Sequence, residues 1–188
     1  MNVSAQQALE TMQRSYAHDA VSIPAPQEQV TYWVGTHLGL AGIHVLVGEG
    51  EIDEIIETPA TTSIPGTQPW VMGLAAHKGS LLPIVNGDAL LRKDVYDGLV
   101  REYTMVIRRP GTLLGITLSQ VFGNLKLPIE HHAMDIAIDD DIANYCLGGF
   151  PKDGKPLAVL DIQKLITESG LSDASLTHRE IDEESSNG

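Results

Sequence analysis

The chain has 188 residues, 43% of them hydrophobic, and a formal net charge of −13. That length can bury one full domain or two small packed ones, and no apolar run is long enough to span a bilayer. A surplus of acids this large argues against a nucleic-acid surface, which needs clustered Lys and Arg to release phosphate counterions.

The N-terminal stretch MNVSAQQALETMQRSY has no basic region followed by an apolar one, so no signal peptide is expected and the default location is the cytoplasm. Leu9, Met12 and Tyr16 fall at helical spacing before the Pro24-Ala25-Pro26 break. They predict a short amphipathic helix and linker over residues 1–27. From Tyr32 the pattern changes to short apolar runs cut by glycine, YWVG, LGLAG and IHVLVG, then EIDEIIETP. Turn residues every eight to twelve positions predict an all-β barrel or sandwich rather than βαβ units.

PWVMGLAAHKGSLLPI, residues 69–84, reads as strand, tight turn, strand, with Lys78-Gly79 at the turn. YTMVIRRPGTLLGITL is a hairpin candidate through Pro110-Gly111, and GGFPKDGKPLAVL another through Asp153-Gly154. The last strand runs into DIQKLITESG, where Ile162, Leu165 and Ile166 share a helical face and Gly170 can end the helix. No internal repeat or heptad series is evident. Acids gather in Glu49–Glu57 and again in Glu168–Glu184, the second group reading as a solvated tail over residues 171–188.

Catalytic signatures are lacking. EHHAMDIAIDDD offers His131, His132, Asp135 and Asp139–Asp141, but adjacent histidines diverge on a strand and sit about 100° apart on a helix. Neither arrangement gives the i, i+4 pairing of a helical zinc site. His37, His44 and His77 fall in separate predicted strands and read as strand-surface residues. The glycines of GEGEID and GLAG follow neither GxGxxG nor Walker spacing, and no GxSxG elbow occurs. The lone Cys146 permits no internal disulfide or multi-cysteine zinc site and reads as a small buried hydrophobe. No cofactor or metal is expected.

EIDEIIETPATTSIPGTQPWVMGLAAHKGSLLPIVN resembles the central signature of the CheW-like family, the scaffold adaptors of bacterial chemosensory arrays. The resemblance is carried by Ile52-Asp53-Glu54-Ile55-Ile56, Pro65, Gly73, Lys78-Gly79 and Leu82-Pro83-Ile84. It extends through TMVIRRPGTLLGITLSQVFG to LAVLDIQKLI. Trp33-Val34-Gly35, Gly50-Glu51, Pro59, Pro65-Gly66 and Trp70-Val71 are similar to the PilI type of type IV pilus systems.

The resemblance implies a mainly β fold: two intimately packed SH3-like five-stranded β-barrels over residues 28–170, with an N-terminal and a C-terminal helix. Trp70 then either anchors the seam between barrels, the preferred reading, or is an exposed contact. It also implies a non-enzymatic adaptor coupling the cytoplasmic tip of a methyl-accepting chemoreceptor to a CheA-type hybrid histidine kinase. Such an adaptor works at receptor arrays on the inner face of the inner membrane, without inserting into it, here for pilus (twitching) motility. Ile52, Glu54, Lys78, Gly79 and Val106 match the family's contact surface, with Ile52 and Val106 as apolar contacts and the Glu54–Lys78 pair fixing register. Ile52 lies between two acids and can face out, or it can be core. Most relatives have Arg where this chain has Lys78, and lysine keeps the charge but loses the bidentate fork. The competing readings are a small β-barrel ligand-binding module or enzyme, and a flagellar chemotaxis adaptor.

Overall fold

The computed structural model describes residues 30–92 and 101–171. The expected N-terminal helix and the acidic tail from residue 172 lie outside the described residues. Ten strands form two five-stranded sheets. They are β1 (Tyr32–Leu40), β2 (Ile43–Gly48), β3 (Glu54–Glu57), β4 (Val71–His77), β5 (Ser80–Val85), β6 (Tyr103–Arg109), β7 (Thr112–Leu118), β8 (Gln120–Pro128), β9 (Cys146–Lys152) and β10 (Lys155–Leu160). Three short α-helices, α1 (Gly87–Leu91), α2 (Asp140–Ala143) and α3 (Ile162–Glu168), and one 3-10 turn at Ile129–His131 complete the described elements.

The first sheet runs β8-β1-β2-β10-β9 and the second β3-β6-β7-β5-β4. Barrel one is therefore built from both ends of the described chain, and barrel two, made of β3 to β7, is inserted between its second and third strands. Glycine takes a positive-φ position in each of the expected hairpin turns. Lys78-Gly79 joins β4 to β5 and Asp153-Gly154 joins β9 to β10, both with φ positive at the two central positions, the two-residue hairpin geometry. Pro110-Gly111 supplies the β6–β7 turn as expected, with Gly111 at φ 78°. The Asp161 side chain accepts from the Lys164 amide to start α3, and Gly170 follows its end at φ 83°.

Burial explains why so many strands read as continuous apolar runs rather than alternating ones. One face of each sheet encloses a small core of its own: Leu46, Phe150, Leu157 and Val159 in barrel one, Ala75, Leu82, Ile84 and Val106 in barrel two. The opposite faces meet in a larger seam, where Leu38, Val45 and Leu160 pack with Met105, Ile107 and Ile116. Trp70 is buried in this seam, as expected.

The fold corrects the reading that the sequence holds no repeat. Both sheets have the same order and the same strand directions, with one parallel pair each: β10 on β2 through Ala158–Val45, and β5 on β7 through Ile84–Gly115. The stretch from Val71 to Leu91 and the stretch from Cys146 to Ile166 then match position by position without a gap. Leu74 opposes Pro83 as Gly149 opposes Ala158, both after a register shift, and both hairpins turn through the same two positive-φ positions. Asn86 caps α1 through the Ala89 amide as Asp161 caps α3. Even the irregular contacts recur, Thr62 bridging Leu74 and Ala133 bridging Gly149.

Candidate docking site at the end of barrel two

Of the five residues expected at the contact surface, the structure brings Glu54, Lys78 and Gly79 together. Glu54 opens β3 and pairs with Val106 across the ladder to β6, so its side chain lies on the core face of barrel two, at the barrel's end. The β4–β5 hairpin turns over it. Gly79, at φ 75° with open space around it, lets the turn close, and Lys78 takes φ 47°, a left-handed conformation that costs a non-glycine residue about 1 kcal/mol. In that conformation the Lys78 Nζ lies 2.7 Å from the Glu54 carboxylate. From the preceding position the His77 imidazole shares the same carboxylate, Nε2 to Oε1 2.7 Å.

His77 corrects the strand-surface reading: its side chain is 14% exposed, whereas that of Lys78 is 61% exposed. The bond from the Lys78 ammonium, then that from His77, holds the Glu54 carboxyl below its usual range. A lowered carboxyl value means the contacts are present above the ordinary glutamate range and lost as pH falls through the lowered value. The Glu54 side-chain carboxyl, followed by carbon NMR, is expected to titrate below a solvated glutamate and to return toward the ordinary value in Lys78→Ala. An ordinary titration in the unaltered chain would show that the three groups do not meet in solution.

Ile52 and Val106 separate. Ile52 is half-buried, packs on the seam, and borders a cleft of about 300 Å³ between the β1–β2 end of barrel one and β3, together with Val34, Glu49, Asp53, Glu54 and Asn124. Val106 is fully buried in the core of barrel two. It therefore cannot serve as an apolar surface contact, and its place in the site is through its backbone, whose carbonyl accepts from the Asp53 amide at 2.8 Å.

The acid cluster at Glu49–Glu57 is not loose negative charge. Asp53 pairs with Arg108 at 3.2 Å and Glu51 with Arg109, which also donates to Gln163 on α3 at 3.1 Å. Sequence reasoning missed these arginines as site residues, although RR at the end of one predicted strand and EIDE at the start of another were both visible. What was lacking was the β3–β6 register. A wider, apolar groove of about 410 Å³, lined by Ile64, Trp70, Leu74, Leu113, Ile166 and Leu171, lies beside α3. Among the described residues no group of three or more His, Cys, Asp or Glu is placed to hold a metal ion. His132 instead meets the Leu147 carbonyl at 2.7 Å and packs edge-on against Phe150. Cys146 is half-buried, with burial pushing its thiol up to about 11. No described helix is long and apolar enough to cross a membrane.

The CheW-like domain model matches residues 38–170, covering both barrels and α3. The chain belongs to the CheW-like family. That family is one of scaffold adaptors rather than enzymes. Protein PilI of Pseudomonas aeruginosa is 29% identical over 111 residues, which make up 59% of this chain and 62% of PilI. The chemotaxis protein CheW of Thermotoga maritima is 26% identical over 118 residues, 62% of this chain and 76% of that protein. The scaffolding protein TtCheW of Thermoanaerobacter tengcongensis shares the fold, with a TM-score of 0.56 at 12% identity over 69% of this chain and 89% of its own.

Proposed function

We propose that this CheW-like chain is a non-enzymatic adaptor that couples a chemoreceptor tip to a histidine kinase in a chemosensory array serving type IV pili. The observation that carries the reading is the Glu54–Lys78–His77 cluster, set at a barrel end beside the cleft that Ile52 borders. A receptor tip is a helical hairpin, and a cleft with an apolar wall and a charged rim suits a helix laid lengthwise. Lys78 is held by Glu54 yet remains largely exposed, so it can meet a partner carboxylate without a change of backbone. The likeness to PilI supports the pilus assignment.

The test is titration of the purified chain with a receptor-tip fragment and, separately, with the kinase's CheW-like domain. Lys78→Glu sets two carboxylates against each other and against any acidic partner. It is expected to weaken association with at least one partner by on the order of 1–3 kcal/mol, while exposure keeps the loss of stability below about 1 kcal/mol. Lys78→Arg should bind at least as well. Unchanged affinity for Lys78→Glu with both partners would leave Lys78 a solvated turn residue. Loss of the gene is expected to impair twitching; an effect on swimming alone would place the adaptor in a flagellar system.

A further inference from the structure

The internal repeat gives the docking end of barrel two a counterpart in barrel one, and its chemistry is different. On the barrel-one core face, His44 continues the row of Leu46, Lys152 the row of Phe150 and Lys155 the row of Leu157. Barrel two has Leu113, His77 and Ser80 at the matching places, and Val106 where barrel one has His37. The His37 Nε2 and His44 Nδ1 converge to 2.9 Å, which corrects the reading of these histidines as separate surface residues. Phe122, 41% exposed, stacks on both rings with centroids 4.1 and 4.7 Å away.

The charged side chains on the strands here are of one sign. The five strands of barrel one contain no acidic residue, in a chain of net charge −13, but carry Lys126, Lys152, Lys155 and both histidines. Ion pairs among the described residues hold Lys78, Arg92, Arg101, Arg108 and Arg109, and none involves Lys152 or Lys155. His44 and Lys155 also border a cleft of about 270 Å³ with Ile43 and Ile138. Two imidazoles at positions where the other barrel uses Val and Leu give up apolar burial, and an exposed phenylalanine beside unpaired cations is a surface suited to carboxylates attached to an apolar chain.

We infer that this end of barrel one is a second docking site, and that it takes an acidic segment of a protein partner, its carboxylates on Lys152 and Lys155 and an apolar side chain on Phe122. Charge complementarity selects that occupant. The basic patch spans a few side chains and is bounded by Asp153 at the hairpin tip and Asp139 across the cleft, too confined for a phosphodiester backbone or an anionic bilayer, both of which reward extended cationic surfaces.

The experiment uses the full chain with labelled histidines, titrated at low salt with a short synthetic peptide of Glu and Leu while the ring resonances are followed by NMR. Saturable shifts of His37 and His44 are expected. Lys152→Glu combined with Lys155→Glu should weaken the peptide by about tenfold or more at an unchanged melting temperature, and Lys164→Glu on α3 should change nothing. Phe122→Ala should weaken it independently of salt. Absence of saturable shifts, an equal loss from Lys164→Glu, or tighter binding of poly-uridylate or phosphatidylglycerol vesicles to the same histidines would overturn the inference. The receptor and kinase titrations of Lys78→Glu are read on the other barrel, so either result can fail without the other.

Discussion

Gly73→Ala is expected to destabilise the chain by about 3–5 kcal/mol, from overpacking and backbone strain together. At this position φ is 132°, and an added Cβ would meet the Thr62 carbonyl oxygen at 2.1 Å and its carbon at 2.6 Å. Both atoms are backbone, so no side chain can swing away. The contact cannot be relaxed cheaply, because Thr62 and Leu74 exchange amide–carbonyl bonds of 2.8 and 2.9 Å beside it. For a chain of this size each kcal/mol lowers the melting temperature by roughly 2–4 °C, so a drop on the order of 10 °C is expected in a thermal melt. Gly154→Ala is the control: φ is 74°, nothing lies within 4 Å, and only the left-handed backbone cost of about 1 kcal/mol remains. Equal melting temperatures for the two variants would mean that the Thr62 bridge does not hold β4 as described.

Val106→Asp and Ile52→Asp should part company just as sharply. Val106 is 0% exposed, in one core with Leu82 and Ile84 in barrel two, and a carboxylate there would have no partner. The cost of an unpaired buried charge, several kcal/mol or about half or more of a typical domain's stability, is expected to leave the variant unfolded by circular dichroism. Ile52 is half-buried at the cleft, so its aspartate can reach water, and the expected cost is about 1–2 kcal/mol of lost apolar burial, with the fold intact. Receptor binding by folded Ile52→Asp is expected to be lost. A folded Val106→Asp would put that strand face outside the core, and an unfolded Ile52→Asp would make Ile52 a core residue rather than a contact.

The contrast between Val106 on β6 and Ile52 in the β2–β3 connection shows what the sequence could and could not reveal. Hairpins were legible wherever a turn dictates its residues: Lys78-Gly79, Pro110-Gly111 and Asp153-Gly154 all lie where the pattern placed them. The C-terminal end of α3 was legible for the same reason, at Gly170, whereas the Asp161 cap at its start was not picked out. Val106 was misplaced because Met105, Val106 and Ile107 are apolar in succession, and a strand buried on both faces gives no alternation from which to choose its outward side. The Asp53–Arg108 pair depends on strand register across 55 residues, which no local pattern encodes, and the His37–His44 pair, seven residues apart, on the register set by the β1–β2 turn. The repeat escaped notice because the apolar positions interchange freely: Val71 for Cys146, Leu74 for Gly149, Ala75 for Phe150. Only Gly73 with Gly148, Gly79 with Gly154, Leu82 with Leu157 and Leu90 with Leu165 are kept between the copies, the glycines being demanded by backbone geometry.

The insertion of barrel two between β2 and β8 also sets an order of assembly during synthesis. Strands β3 to β7 are contiguous, so barrel two can pair all its strands once about residue 118 has left the ribosome. Barrel one cannot, since β2 waits for a parallel neighbour more than a hundred residues later, with Val45 meeting Ala158. Loop closure over that span is slow, and until it happens the exposed edge of β2 is open to pairing with another nascent chain. The already folded barrel two shortens the effective loop by bringing its two ends, Glu54 and Leu118, into neighbouring ladders of one sheet with β6 between them. The inserted barrel thus acts as a clasp for the one that encloses it, and the last strand synthesised, β10, is the one whose arrival makes the whole chain cooperative.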